Sequence, residues 1–222
     1  GGLSLSDGVS YTTPPVMIGA SHRFKSPNVA SVMSGQPAVV VPVEVSTQPL
    51  ELTYEATPAL SPHAYLSGAL THQGERPLLA GPATLFSSGA FVGETQLSTI
   101  LKGERLEVPL GADSDIKLDR RVEVSSREEG FFGAQEISVY TTKLQVANYK
   151  RRAVKVKLYD VLPISEHKEV KVTLKQMAPE GVIDDPKRGV ICWTLDLKAG
   201  ARRDVTLVYQ VSRPKGWRVF QR

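Results

Sequence analysis

The chain has 222 residues, of which 41% are hydrophobic and 23% charged, with a formal net charge of +4; its mean hydropathy is -0.15 and its pI about 9.1. These values exclude a disordered chain and a collagen-like repeat and argue against an integral membrane protein. At roughly 100 to 200 residues per domain, the length allows one large domain or two small ones.

The chain opens Gly1-Gly2, with no methionine and no basic-then-apolar leader pattern, and so reads as a processed product or an excised fragment. Residues 12–27, rich in proline, read as an irregular arm. The longest apolar run, residues 38–43, is interrupted by Pro42 and is far shorter than the roughly 20 residues that cross a bilayer. Candidate strands follow at residues 39–45, 50–54, 65–70, 83–86 and 106–110. Ser88-Gly89, between Leu85-Phe86 and Phe91-Val92, predicts a hairpin. Pro58, Pro62, Pro77 and Pro82 confine their neighbours to edges and connections, because proline lacks the ladder donor. A boundary is expected near residues 111–118, which gives a first β domain over residues 1–117.

Beyond it, period two dominates. Leu144 and Val146; Val154, Val156 and Leu158; Val170, Val172 and Leu174; Ile191, Trp193, Leu195 and Leu197; and Val205, Leu207, Tyr209 and Val211 all alternate with polar neighbours. Half-polar strands of this kind suit antiparallel sheets, since buried parallel strands read as continuous apolar runs. The expected fold class is all-β, with two antiparallel β-sandwich-like units, of which the C-terminal one, residues 118–222, is immunoglobulin-like. Helix content should be low.

Charge is divided unevenly: residues 1–117 hold 6 Lys and Arg against 10 Asp and Glu, and residues 118–222 hold 21 against 13. The two halves carry −4 and +8. A basic half can bind a polyanion through counterion release. Against that, Lys155, Lys157, Lys171 and Lys175 alternate with core positions, as on any solvated strand face. Lys150, Arg151 and Arg152, in the turn after Leu144 and Val146, are the candidates for an anionic contact. Asp113, Asp115 and Asp119 are the candidate metal ligands, because hard cations take oxygen-rich loops. The plainer reading of this acidic run is a solvated linker.

No glycine-rich nucleotide loop, two-histidine zinc helix or glycine-flanked serine elbow is present. Ser165 and Lys168 have the serine-x-x-lysine spacing but follow Pro163 in a loop, where the mechanism needs one helical turn. His22, His63, His72 and His167 share no spacing and read as surface histidines. The lone Cys192 has no disulfide partner; it is expected on the face opposite Ile191 and Trp193, as a small structural hydrophobe. Trp193 reads as a core anchor, and Trp217, after Pro214 and Gly216, as a surface residue.

Several strings resemble the C-terminal domain of unknown function of the mucoidy inhibitor A-like bacterial family, over most of the chain. They include Leu60-Ser61-Pro62 with Ala64-Tyr65-Leu66, Pro77-Leu78-Leu79 with Gly81-Pro82-Ala83, Asn148-Tyr149, Leu162-Pro163-Ile164-Ser165, and Pro214-Lys215-Gly216. These are packing and turn residues. The resemblance implies a periplasmic or cell-envelope setting, normally with an upstream β domain and a coiled coil that this sequence does not contain. The expectation is a non-catalytic interaction or scaffolding module without cofactor, whose partner is a protein. The alternative is a module binding acidic glycan or lipid headgroups through its basic half. Nucleic acid is disfavoured because stacking aromatics are not interleaved with the cations, and an enzyme assembled from distant loops ranks third.

Overall fold

Period-two patterning sends every second side chain to one side of a strand, and here it builds eleven strands and no helix among the described residues. The computed structural model describes Gly35, Pro42, residues 44–130 and residues 135–217. The arm at 12–27 lies outside the described residues, as does the candidate strand at 39–45 apart from Pro42, Glu44 and Val45. Residues 1–47 form one unit and residues 48–222 another, and all eleven strands belong to the second.

The strands are β1 (Glu51–Ala56), β2 (His63–Thr71), β3 (Gly81–Ser87), β4 (Ala90–Leu97), β5 (Arg105–Glu129), β6 (Gln135–Asn148), β7 (Val154–Val161), β8 (Lys171–Ala178), β9 (Val182–Asp185), β10 (Val190–Leu197) and β11 (Arg202–Pro214). Nine form one sheet in the order β8-β11-β6-β5-β2-β1-β7-β10-β9, while β3 and β4 form a separate hairpin. One joint corrects the expectation of antiparallel units. β1 runs parallel to β7, with Tyr54 beside Val156 and Ala56 beside Leu158, so the sheet is mixed. Parallel neighbours need a long crossover, and the whole excursion from β2 through β6 supplies it.

The two ends of this sheet, β8 and β9, are separated in the chain by residues 179–181 alone. Laid flat, nine strands would hold their outer members about 38 Å apart, whereas such a short connection reaches at most about 14 Å. The sheet must therefore roll. Its inner face forms one cluster in which Val156 and Leu158 of β7 and Ile191, Trp193 and Leu195 of β10 join Leu144 and Val146 of β6 and Val205, Leu207 and Tyr209 of β11. Trp193 is 1% exposed. Its indole Nε1 donates to the carbonyl of Pro179 at 3.0 Å, which ties β10 to the β8–β9 connection. Gly181 is required there, because a Cβ at that position would lie 2.7 Å from the same indole nitrogen.

β5 is 25 residues long and passes straight through the stretch expected to be a linker. Its first part pairs with β2, up to His63 beside Lys117. Its second part pairs with β6, from Ile116 beside Asn148 to Glu129 beside Gln135. The expected division between residues 117 and 118 falls inside this strand. From Leu118 onward β5 has a partner strand on one side only among the described residues. Arg120 sends its guanidinium to the buried Asp160 of β7, with Nε 3.3 Å from Oδ2 and Nη2 3.4 Å from Oδ1. At the hairpin turn, Ser88 (φ 50°) and Gly89 (φ 80°) take the left-handed conformation that tight hairpins need.

Candidate functional site

Both sets of charged candidates converge on one place. Continuing the β5–β6 register past Ile116 and Asn148 puts Lys150 opposite Ser114, between Asp113 and Asp115. Lys150 Nζ donates to Asp113 Oδ2 at 2.6 Å and to Asp115 Oδ2 at 3.3 Å. Asp113 Oδ2 also accepts from the Tyr54 hydroxyl at 2.6 Å, and Asp113 Oδ1 accepts from the Asp115 N–H at 3.0 Å. Tyr54 is buried at 1% exposure, while Asp113 and Lys150 are only partly covered.

The electrostatics follow from that geometry. Burial and the bond to Asp113 raise the Tyr54 hydroxyl above its ordinary pKa. Burial alone would raise the Asp113 carboxyl, but hydrogen bonds from Lys150, Tyr54 and the Asp115 amide outweigh it and hold the group below the usual carboxylate range. Lys150 is held up, chiefly by its bond to Asp113. This is an internally satisfied knot, in which the Asp113 carboxylate that would hold a cation is occupied by an ammonium and a phenol. Asp119 pairs instead with Arg121 Nε at 3.0 Å. Among the described residues no three of His, Cys, Asp and Glu are grouped as metal ligands would be.

Lys150 is thereby committed, and Arg151 and Arg152 stay exposed. The turn that carries them is held by Asn148, which is 1% exposed. Its Nδ2 donates to the carbonyls of Arg152 (2.9 Å), Lys198 (3.0 Å) and Leu197 (3.2 Å), and its Oδ1 accepts from the Lys150 N–H at 3.0 Å. The β6–β7 and β10–β11 turns are thus stitched together by one amide, a role that no motif or spacing in the sequence marks.

The other candidates resolve singly. Ser165 Oγ accepts from the His167 N–H at 3.2 Å and donates to its carbonyl at 3.1 Å, a local turn that does not engage Lys168. His72 is buried, which corrects the surface reading. Its Nε2 donates to the Arg76 carbonyl at 2.7 Å and its Nδ1 accepts from the Gln48 amide at 3.2 Å, so that the ring closes the 72–76 loop. His63 and His167 are exposed, and His22 lies outside the described residues. Trp217 is 40% exposed and meets the His167 ring edge-on. Burial pushes the Cys192 thiol up, away from the nucleophilic thiolate. A shallow depression of about 220 Å³ between β1, β2 and β5 is lined by Glu55, Tyr65, Glu107 and Val108; it is smaller than the roughly 300 to 1,000 Å³ of ordinary ligand pockets.

A rolled mixed sheet, knotted charges and a long β5 whose second part has a partner strand on one side only among the described residues together define an all-β module. Its sequence matches, over residues 11–215, the family model described as Domain of unknown function (DUF4139), and the chain belongs to that family. It is also similar to Protein F37C4.5 of Caenorhabditis elegans, at 26% identity over 86% of this chain and 38% of that protein. The chain thus spans well under half the length of that curated relative. No solved structure matches it significantly.

Proposed function

We propose that the protein is a non-catalytic interaction or scaffolding module that receives a protein partner along the free side of β5. One observation carries this reading: residues 118–129 form a regular strand with a ladder to β6 on one side and no partner strand on the other among the described residues. Such an edge offers main-chain donors and acceptors to an added strand. In this reading residues 118–222 are the immunoglobulin-like part of the module. The mucoidy inhibitor A-like resemblance would set it in a bacterial cell envelope, while the nematode relative supports a module that is useful outside that setting. The polyanion alternative has less support, because Lys150 is neutralised by Asp113 and Asp115.

The test is a photo-cross-linking amino acid placed at Glu123 of β5, with Lys175 of β8 as the control position, in the full chain inside its producing cells. A discrete adduct from position 123 and none from position 175 is the expected result. No adduct from position 123, or turnover in a broad hydrolase screen that a single substitution abolishes, overturns the reading.

A further inference from the structure

We infer that the strand received by β5 is β5 of a second copy of this chain, paired antiparallel about a two-fold axis through Ser125; this rests on the edge reading above. The two formal ends of the sheet are poor receivers: β8 carries Lys171 and Lys175 and runs into Pro179, and β9 has four residues. Residues 118–129 have no proline and no lysine, and their ladder to β6 runs without a bulge.

The charge order of this edge is complementary to itself. Ile116 and Leu118 point to the core side, so Arg121, Glu123, Ser125, Arg127 and Glu129 share the outer face. Folded back on itself about Ser125, that face sets Glu123 opposite Arg127 and Arg121 opposite Glu129, each pair occurring twice in the dimer. Moving the axis to Val124 would set Arg121 opposite Arg127, and moving it to Ser126 would set Glu123 opposite Glu129. Like charges directly opposite one another are destabilising, so one register is favoured over its neighbours. On the inner face, Val124 lies opposite Ser126 of the other copy and diagonal to the second Val124; it is 55% exposed in the single chain and gains cover. The present partners of these charges are exposed surface pairs, Asp119 for Arg121, Lys143 for Glu123 and Arg127 for Glu129, which exchange at little cost.

Sedimentation across a concentration series should show a monomer–dimer equilibrium for the unmodified chain. Glu123→Arg should weaken the dimer at least about tenfold, a loss of roughly 1.4 kcal/mol, and adding Arg127→Glu should restore it. Ser125→Cys, in a Cys192→Ser background, should oxidise to a reducible dimer because the two Cα atoms would lie about 4.5 to 5.5 Å apart, within disulfide reach. Arg121→Cys, about 27 Å from its copy in this register, should not. Circular dichroism and melting of each variant control for folding. The adduct from position 123 separates the two claims. A chain-to-chain adduct supports the dimer, an adduct with another protein overturns the dimer and leaves the edge reading standing, and no adduct overturns both. A chain that stays monomeric with Ser125→Cys unlinked also overturns the dimer.

Discussion

The hydroxyl of Tyr54 in β1 donates to Oδ2 of Asp113 in β5 at 2.6 Å although β2 lies between the two strands. The bond crosses the sheet and fixes the β5 carboxylate where Lys150 can reach it. Because the folded-state pKa of Asp113 is depressed, the folded protein binds fewer protons there than the unfolded chain. The stabilisation is complete above the unfolded carboxyl range, near pH 4, and is lost as pH falls through the lower folded value. Asp113→Asn should cost about 1 to 3 kcal/mol at pH 7 and much less at pH 2 to 3. Thermal melting of both proteins at the two pH values checks this, and an equal gap at both would refute it.

Tyr209 gives the opposite, alkaline signature. Stacked on Tyr140 with centroids 4.9 Å apart, it is pushed up to about 12, first by burial, then by Tyr140 and Asp160, with Arg120 opposing. Stability should be full below the unfolded tyrosine value, near pH 10, and fall as pH rises through 12. Tyr209→Phe should unfold at a higher pH than the unmodified chain, as read by circular dichroism during alkaline titration.

Asn148→Ala removes the amide that serves both turns and leaves three carbonyls and one N–H without that partner. A loss of roughly 2 to 4 kcal/mol is expected. Faster amide exchange should appear together at residues 149–153 and 198–201, though these are far apart in the chain. Exchange that rises in only one of the two turns would contradict the stitching role.

Gly189, at φ +68°, lies where a Cβ would come within 2.0 Å of the Leu162 carbonyl oxygen, while its own carbonyl accepts from the Leu162 N–H at 2.8 Å. Gly189→Ala should destabilise by roughly 3 to 5 kcal/mol, whereas Gly200→Ala, with the same sign of φ but open space around it, should cost about 1. Chemical denaturation of the pair measures the difference; equal losses would show that the carbonyl contact is relieved elsewhere.

Strands that bury one face announced themselves. Val154, Val156 and Leu158, Ile191 to Leu197 and Val205 to Val211 all alternate in the sequence and lie in the core. The 83–86 candidate and its Ser88-Gly89 turn became the β3–β4 hairpin. The long second part of β5 was not legible as one strand, because residues 119–129 are exposed on both faces and their only apolar side chains are Val122 and Val124. The charged candidates were visible one by one, but Lys150 meets Asp113 and Asp115 only through the β5–β6 register, which is set by pairing across the fold. The parallel joint left no mark either, since β1 is short and half-polar.

That joint has a consequence for synthesis. β1 finds β7 only after about a hundred further residues have emerged, which at roughly 5 to 20 residues per second takes some 5 to 20 seconds on the ribosome. Throughout that interval Tyr54 and Ala56 have no roof, and β10 and β11, which complete the interior, arrive last. A nascent chain halted before its final strands should therefore stay attached to chaperones, and C-terminal truncation should be far less forgiving than its sequence length implies.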